Sequence, residues 1–238
     1  QKLGQHINVK LHEAATSISA DGKTLYLYYE EGAGDIYRST LENGNWSVPV
    51  ALNKFINHPN YTESSACVSA DGTKLFFSSN RPGGKGGFDI YVSEMGANGQ
   101  WGRPSNLGSS VNTRRDEESP FVDADGNTLY FSSDGHATFG DKDLFKSRFE
   151  KGKWGTPENL GYPINTSGFE GGFVLTPDKS TGYFTSIRSA HPRNMDIYQV
   201  NFSASSSVDK MESDEINDDD ESHGRQSKRL KEIEIIGQ

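Results

Sequence analysis

Carboxylate side chains that could bind cations or act as general acids and bases recur through the chain at fixed spacing. They form three sets of four, and the members of each set lie 50 to 54 residues apart. The glutamates are Glu13, Glu63, Glu117 and Glu170; eight residues after each comes Asp21, Asp71, Asp125 or Asp178; the last set is Asp35, Asp89, Asp143 and Asp196. Such regular placement means that copies of one structural module carry the carboxylates, so the module decides which of them meet.

The rest of the module predicts strands and tight turns. Each aspartate of the set that contains Asp71 opens a turn, mostly Asp-Gly. The turn leads into a run with two adjacent large residues, such as Phe76-Phe77. Each aspartate of the set that contains Asp89 opens an Asp-Ile-Tyr or Asp-Leu-Phe run, and in three copies a Trp-x-x-Pro run follows. Aromatic and β-branched runs between turn residues indicate strands, and Asp-Gly favours hairpins. Since four-stranded units of about 40–50 residues in tandem are typical of β-propellers, we predict an all-β propeller of four-stranded antiparallel blades, in four repeats of which the last is incomplete.

The propeller is expected to span residues 1–202, with repeats at 9–57, 58–112, 113–165 and 166–202. The fourth repeat stops after its Asp-Ile-Tyr run, and residues 1–8 are similar to the end of a repeat. Two accounts of ring closure follow, because an open edge strand invites aggregation. In one, the C-terminal or the N-terminal segment supplies the missing outer strand of a four-bladed ring. In the other, which the clipped start favours, the chain is a piece of a larger propeller.

The composition changes abruptly after residue 202. Residues 209–221 contain eight acids and one lysine, a net charge of −7. Such a run buries too little apolar surface to offset the entropy of ordering. We therefore expect residues 203–238 to form an acidic, disordered linker or tail, with a candidate last strand at 232–236.

The overall composition excludes two classes of function. The formal net charge is −9, from 24 basic and 33 acidic residues, without the basic stripe that nucleic-acid binding requires. No apolar run approaches the length of about 18 residues that a membrane-spanning helix needs, so we expect no direct membrane insertion. The one cysteine, Cys67, falls at an inner-strand position and is predicted to be a packed thiol.

The stretch Ser69–Tyr91, SADGTKLFFSSNRPGGKGGFDIY, resembles the WD40-like PD40 repeat of TolB-type β-propellers. With the Trp-x-x-Pro and Ile-Asn-Thr landmarks that follow, the repeat is similar to the PD40 segment of bacterial envelope proteins that also carry TPR repeats and a peptidoglycan-binding OmpA-like domain. Some of those proteins serve type IX secretion and gliding. The resemblance covers residues 3–202 and implies a periplasmic or outer-membrane-associated location. No TPR or OmpA-like segment stands in this sequence, so a wall-anchoring role is not carried over.

In such a propeller, the loops between second and third strands share one end with the linkers between blades. We call this the loop end, and the opposite end, with the tight hairpins, the hairpin end. Loops presented by a rigid scaffold often carry function. The loop end is predicted to hold the side chains that contact a partner: Arg81, Lys85, Arg114, Arg115, His136, Arg188, His191 and Arg193.

The four glutamates precede the innermost strands and are expected to ring the mouth of the axial channel at the loop end. One hypothesis is that this ring binds a cation or a basic peptide. The other is that each glutamate accepts hydrogen bonds from a neighbouring loop or pairs with Arg81 or Arg188. The second is favoured, because a residue repeated in every blade usually answers a need that every blade has. The last set of aspartates is likewise interpreted as acceptors that tie the loops.

Other chemistries have weaker support. Asp123-Ala-Asp125 is similar to the start of a calcium loop but lacks the glutamate at its twelfth position, and Gly83–Gly87 lacks the pattern of a phosphate-binding loop. The six histidines recur at no fixed place, so no nucleophile–base set is visible. We predict no cofactor, no metal site and no enzymatic activity: a non-catalytic scaffold that binds a protein or peptide partner in the cell envelope. The alternative is a carbohydrate-binding or glycan-acting propeller, like a lectin or glycosidase, that uses the glutamates.

Overall fold

The computed structural model describes residues 4, 6–7, 12–188, 195–202 and 233–237, and every regular element in them is a β-strand. The strands form four antiparallel sheets, one for each repeat, arranged as the blades of a propeller. The prediction of an all-β propeller with antiparallel four-stranded blades is confirmed. None of these residues belongs to a helix that could cross a bilayer.

Each blade runs from an innermost strand to an outer strand at the rim. The first blade is β1 (Glu13–Ile18), β2 (Thr24–Tyr29), β3 (Asp35–Glu42), β4 (Asn45–Trp46) and β5 (Val50–Ala51). The second is β6 (Glu63–Val68), β7 (Lys74–Ser79), β8 (Asp89–Glu94) and β9 (Ser105–Asn106). The third is β10 (Glu117–Val122), β11 (Thr128–Ser133), β12 (Asp143–Glu150), β13 (Lys153–Trp154) and β14 (Glu158–Asn159). The fourth is β15 (Phe169–Leu175), β16 (Thr181–Ile187), β17 (Asp196–Phe202) and β18 (Ile233–Gly237).

The hairpin between the first two strands of a blade is fixed by local hydrogen bonds. In the second blade, Asp71 Oδ1 accepts from the Ser69 hydroxyl at 2.5 Å and from the Thr73 amide at 3.0 Å. Gly72 has a φ of 72°, a left-handed conformation that glycine adopts without a side-chain clash. The fourth blade has Lys179 at this place, also left-handed at a φ of 59°. The turn aspartates of the sequence therefore mark the hairpin end of each blade.

The outer strand is interrupted in the first three blades, which the sequence did not predict. In the first and third blades it consists of two short pieces, and in the second an isolated bridge between Met95 and Trp101 precedes β9. Proline has no amide hydrogen to donate to a neighbouring strand. Pairing therefore breaks around Pro49, Pro104 and Pro157, and the Trp-x-x-Pro run is not one strand.

The hydrophobic core lies between the blades. In each of the first three blades, one face, which we call the forward face, packs against the next blade in chain order. The innermost strands β1, β6, β10 and β15 contact in the same order. The buried residues at the three junctions include Tyr26, Ile36, Leu75 and Phe77 at the first; Cys67, Phe76, Ile90, Leu129 and Phe131 at the second; Leu144, Phe173 and Phe184 at the third. Burial raises the pKa of the Cys67 thiol to about 11, as expected of a packed cysteine.

The outer strand of the fourth blade comes from the C-terminal segment. Strand β18 pairs antiparallel with β17, with Phe202 opposite Ile233 and Tyr198 opposite Gly237. It lies one residue from the strand expected at 232–236, and it takes the place of the Trp-x-x-Pro run that the fourth repeat lacks. The predicted disorder of residues 203–232 falls outside the described residues.

Candidate functional site at the loop end

Three of the four glutamates occupy one buried position at the loop end. Glu63 and Glu117 are the first residues of β6 and β10, Glu170 is the second residue of β15, and the exposure of each is 0%. The carboxylate of Glu63 accepts hydrogen bonds from the Ser79 hydroxyl at 2.6 Å and from the His58 amide at 2.8 Å. It thereby joins the second strand of its blade to the linker that precedes the blade.

Glu117 and Glu170 repeat this arrangement with a threonine in the linker. Thr113 donates to Glu117 through its amide at 2.7 Å and its hydroxyl at 2.8 Å, and Thr166 donates to Glu170 at 3.0 and 2.7 Å. A serine of the second strand is a further donor in all three blades, and the three serines are Ser79, Ser133 and Ser186. Each buried carboxylate is thus bonded within its own repeat.

Arg81, which was predicted to contact a partner, points into the second blade. Its guanidinium donates to Glu63 Oε1 at 2.9 Å, to the Phe55 carbonyl at 2.9 Å and to the Ile56 carbonyl. It also lies over the Phe77 ring, 4.9 Å from the ring centre, and its side chain is only 10% exposed. The residue therefore ties the loop after β7 to the linker between the first two blades.

Arg188 occupies the same place in the fourth blade. Its guanidinium lies 3.5 Å from Glu170 Oε1, donates to the Pro163 carbonyl at 2.8 Å and sits 4.6 Å from the centre of the Tyr198 ring. Burial lowers the pKa of this guanidinium. The side chain is 17% exposed, so it is directed inward, as that of Arg81 is.

The third blade has Gly135 where the other two have arginine, and His136 occupies that region. The His136 Nε2 atom lies 2.8 Å from the Val111 carbonyl oxygen, and the ring packs against Phe131 and Phe145 with centre-to-centre distances of 5.8 and 5.2 Å. The histidine therefore holds the loop to the linker between the second and third blades, as arginine does elsewhere.

The electrostatics of these glutamates follow from their burial. Desolvation raises the pKa of Glu63 and of Glu117, and the hydrogen-bond donors around each carboxylate offset part of that shift. The described residues contain no group of three or more His, Cys, Asp or Glu side chains that could hold a metal ion. The carboxylates of Glu63, Glu117 and Glu170 bond to their own loops, which is the arrangement that the structural hypothesis expects.

The first blade departs from this arrangement. Glu13 begins β1, but Tyr29 stands where the other blades have serine, and the short first loop contains no arginine. Glu13 Oε2 is buried without a hydrogen-bond partner among the described residues. Residues 8–11, which correspond to the donor-bearing linkers of the other blades, fall outside them.

Three buried asparagines fix the blade junctions, and sequence reasoning gave them no role. Asn112 Oδ1 accepts from the Ile90 amide at 2.8 Å, and its Nδ2 donates to the Ile90 carbonyl and to Asn106 Oδ1, each at 2.9 Å. The equivalents Asn57 and Asn165 make the same pair of bonds to Ile36 and Leu144. Their recurrence in the Ile-Asn or Val-Asn pair that ends each repeat was the available signal.

Two aspartates of the last set, Asp89 and Asp143, tie the loops from the other side. Asp89 accepts from the amides of Lys85 at 2.6 Å and Gly86 at 3.0 Å, and from Asn106 Nδ2 at 2.7 Å. Asp143 accepts from the Phe139 amide at 2.8 Å and from an asparagine of its own outer strand. The backbone of both loops is thus held in place.

Three cations that were predicted to contact a partner are exposed and adjacent. We call Lys85, Arg114 and Arg115 the basic junction, because they lie where the second and third blades meet. A Cβ on Gly86 would come within 1.9 Å of the Arg115 carbonyl oxygen, so the loop of Lys85 packs directly on the linker of both arginines. The Arg115 side chain is 70% exposed and 3.7 Å from Asp134, an ion pair of little strength at such exposure. The geometry therefore brings three exposed cations together at one point of the loop end.

An aromatic side chain projects from the next loop. Phe139 is 64% exposed, although its backbone amide is fixed by Asp143. The same loop begins beside the basic junction, since a Cβ on Gly135 would lie 3.0 Å from the Arg115 Cβ atom. The loop end of the third blade thus presents an apolar ring on a fixed backbone.

Further cations belong to regions outside the basic junction. His191 and Arg193 fall outside the described residues, so their place at the loop end stays a prediction. A groove of about 310 Å³ on the outer strands of the third blade contains cations that the sequence analysis did not single out: Lys146, Arg148, Lys151 and Lys153. Glu150 and Glu158 share this groove, and Glu158 lies 3.2 Å from Lys146.

No family model and no curated protein matches the chain. Among solved structures, TolB from Acinetobacter baumannii matches 82% of the chain with a TM-score of 0.54 and 15% identity. Hydrazine synthase from Kuenenia stuttgartiensis matches 77% of the chain with a TM-score of 0.45 and 15% identity. A puromycin-hydrolysing peptidase from Mycobacterium tuberculosis matches 80% of the chain with a TM-score of 0.48 and 14% identity. The chain spans 42% of the TolB chain, 51% of the synthase chain and 27% of the peptidase chain. The likeness to TolB shows that the chain has the fold of a TolB-type β-propeller.

Proposed function

We propose that this propeller is a non-catalytic platform that binds an acidic protein or peptide at its loop end, within a bacterial cell-envelope complex. The observation that carries the proposal is the basic junction, where Lys85, Arg114 and Arg115 are exposed on closely packed backbone. The envelope setting rests on the resemblance of the repeat to the PD40 segments of envelope proteins.

The proposal divides the predicted partner-binding residues by what each side chain touches. The basic junction would contact the partner. Arg81, Arg188 and His136 would act indirectly, because their hydrogen bonds hold the loops to the linkers. His191 and Arg193 remain predicted contact residues of the fourth blade.

Charge is the reason to expect an acidic partner. Lys85, Arg114 and Arg115 are three exposed cations on loops that pack together, and such a group would steer an anionic ligand to one place. Guanidinium groups also bind carboxylates through two parallel hydrogen bonds. Phe139, at 64% exposure, offers the large apolar contact that commonly anchors a protein interface.

The test is a pull-down from envelope extract with matched charge variants. The wild-type protein should recover a specific partner, and Lys85→Glu combined with Arg114→Glu and Arg115→Glu should abolish that recovery. The control combines Lys23→Glu, Lys151→Glu and Lys153→Glu, three exposed lysines of the hairpin end, so both variants carry the same net charge. The control should recover the partner as the wild type does.

Two results would overturn the proposal. The first is full recovery of the partner by the variant of the basic junction, which would move binding to another surface. The second is hydrolysis of an envelope glycan by the wild-type protein that is lost when Glu63 is changed to Gln with the fold intact. The double change Arg81→Glu and Arg188→Glu is not a suitable probe, because both arginines are structural partners of buried glutamates.

A further inference from the structure

A groove on the rim of the third blade carries four cations that the proposed function does not use. Strands β12 and β13 and the segment that leads into β14 form it, and its volume is about 310 Å³. We call it the rim groove, and its lining residues are Lys146, Arg148, Glu150, Lys151, Lys153, Gly155, Thr156 and Glu158. The four cations outnumber the two carboxylates, so the groove has an excess of positive charge.

These cations belong to the third blade and not to the repeat. The second blade has no cation at the four corresponding positions, where it has Val92, Glu94, Asn98 and Gln100. The first blade has one, Arg38. Both of those blades form the same strands without the set. The fold therefore does not require the four cations, and their presence together points to a ligand.

Most of this positive charge is available to a ligand. Lys146 lies 3.2 Å from Glu158, but the glutamate side chain is 71% exposed, so the ion pair is weak. The other three cations are exposed, and they form no ion pair within the residues that the structure describes.

Hydrogen bonds and packing fix the floor of the rim groove. The Gly155 amide donates to the Arg148 carbonyl at 2.8 Å, and the Gly155 carbonyl accepts from the Ser147 hydroxyl at 2.8 Å. The neighbouring Trp154 is 8% exposed and packs against the Phe149 ring, 5.2 Å from centre to centre. A backbone held in this way needs little reordering when a ligand binds, which lowers the entropic cost of binding.

The lining side chains select among anionic ligands. None of the eight has a large apolar side chain, so the groove lacks the anchor that protein and peptide interfaces commonly use. Ammonium and guanidinium groups bind phosphate and carboxylate. The strand register places Glu158 opposite Lys146 at one end of the row of cations and Glu150 opposite Lys153 at the other. These carboxylates would repel a second anionic group and would accept hydrogen bonds from hydroxyls.

We propose that the rim groove binds an anionic sugar, in which the cations bind a phosphate or carboxylate group and the two glutamates accept from hydroxyls. Its volume lies near the lower limit of about 300 Å³ for small-molecule sites, which suits a single sugar better than a peptide. The site is separate from the basic junction, so it does not depend on the protein partner proposed above.

Titration followed by the amide signals in NMR spectra tests the proposal. The probes are glucose 6-phosphate and galacturonate, and the controls are galactose and inorganic phosphate. At least one probe should bind saturably and shift the amide signals of residues 151–156, and the probe that binds identifies the anionic group. Both controls should bind at least tenfold more weakly. Equal affinity for inorganic phosphate and the bound probe would mean an adventitious ion only, and this result or the absence of saturable binding would overturn the proposal.

Matched exchanges separate the rim groove from the basic junction. Arg148→Gln with Lys153→Gln should reduce the affinity for the bound probe at least tenfold. Lys85→Gln with Arg114→Gln changes the net charge equally and should leave that affinity unchanged. All four side chains are exposed, so the melting temperature should be the same in both variants. A loss of affinity in the second variant alone would assign the ligand to the basic junction and overturn the proposal. Recovery of the protein partner by the first variant would separate this inference from the proposed function.

A second variant tests the role of the carboxylates. Glu150→Gln with Glu158→Gln should lower the affinity for the sugar several-fold relative to that for inorganic phosphate, because two hydroxyl acceptors are weakened. An equal rise of both affinities would show that charge alone governs binding and would contradict the proposal. Binding that appears only after the eight acids at 209–221 are changed to their amides would assign the groove to the chain's own acidic segment, which would also overturn it.

Discussion

The carboxylates at the two ends of the propeller lie in opposite environments, exposed at one end and buried at the other. At the hairpin end, the carboxylate of Asp71 is exposed, and donors from Ser69 and Thr73 lower its pKa to about 2. At the loop end, the carboxylate of Glu63 is fully buried, and desolvation raises its pKa. Both groups recur in every repeat, and both bond to their own repeat. In the second blade, both recurring carboxylates therefore hold the turns and loops of their own repeat.

Residues of the loop end that differ between repeats are exposed, in contrast to the recurring ones. The module position of Lys85 is Phe139 in the third blade, and the positions of Arg114 and Arg115 are Asn60 and Tyr61 in the linker before it. Lys85, Phe139 and both arginines are exposed, whereas the recurring residues of the loop end are buried. The recurring residues fix the backbone of the loops, and the variable residues lie exposed on that backbone. A binding scaffold is expected to have this arrangement.

The largest effect is expected from breaking the buried pair at the loop end. Arg81→Met leaves the Glu63 carboxylate buried without its cation, so the free energy of unfolding should fall by about 3–5 kcal/mol. Urea unfolding followed by tryptophan fluorescence measures it. The control Lys151→Met, at an exposed hairpin position, should change stability by less than about 0.5 kcal/mol. A loss below about 1 kcal/mol for Arg81→Met would show that the loop end does not depend on this pair.

A smaller loss is expected at the blade junction. Asn112→Ala leaves the amide and the carbonyl of Ile90 without their side-chain partner inside the core, which should cost about 2–3 kcal/mol. The same urea experiment applies, with Asn98→Ala in an exposed hairpin turn as the control. Equal stability of both variants would contradict the role assigned to the junction asparagines.

The pH dependence of stability should differ in sign between the two ends. The Asp71 pKa is lowered to about 2 on folding, so its stabilising contribution is present above the ordinary value of 3.8 and is lost as the pH falls toward 2. The Glu63 pKa is raised on folding, so stability is lost as the pH rises above the ordinary value of 4.5 through the raised one.

Single exchanges separate these two contributions. Asp71→Asn should reduce the loss of stability at acid pH, and Glu63→Gln should reduce the loss on raising the pH. Neither loss should vanish, because the lowered pKa values of Asp21, Asp125 and Asp178 and the raised pKa of Glu117 remain. Urea midpoints measured across the acid and neutral range for each variant provide the comparison. Slopes that change in the same direction for both variants would contradict the contrast between exposed and buried carboxylates.

The smallest effect is expected at the ion pair that bridges the hairpin ends of the third and fourth blades. Lys179 Nζ lies 2.6 Å from Asp123 Oδ2 and 3.5 Å from Asp125 Oδ2, but its side chain is 50% exposed. Lys179→Met should therefore lower stability by about 0.5 kcal/mol, and the difference should vanish in about 1 M salt, which screens exposed charges. A difference that persists in high salt would indicate a packing contribution instead.

The fold was predictable from the sequence because each repeat contains the residues that form its own turns. Asp71-Gly72 and its equivalents identified the hairpins, and the runs around Phe76-Phe77 identified the strands between them. The splitting of the outer strand at Pro49 was missed, although proline's lack of an amide hydrogen is visible in the sequence. Local rules of this kind carry over directly, since they depend on neighbouring residues only.

The candidate site was less predictable because burial decides the role of a charged residue. The sequence placed Arg81 and Lys85 in the same loop, with no indication that one is 10% exposed and the other lies on the surface. The pairing of Arg81 with Glu63 joins residues 18 positions apart through the packing of two elements. Only the folded chain distinguishes the cation that supports the loop from the cation that it presents.

Calorimetric titration of the recovered partner tests the central claim most directly. The comparison is between the wild type, the Lys85→Glu/Arg114→Glu/Arg115→Glu variant and the equally charged Lys23→Glu/Lys151→Glu/Lys153→Glu variant. We predict that affinity falls at least tenfold for the first variant alone, with unfolding midpoints equal in all three proteins. Equal affinities for all three proteins, or a loss confined to the hairpin-end variant, would contradict the account.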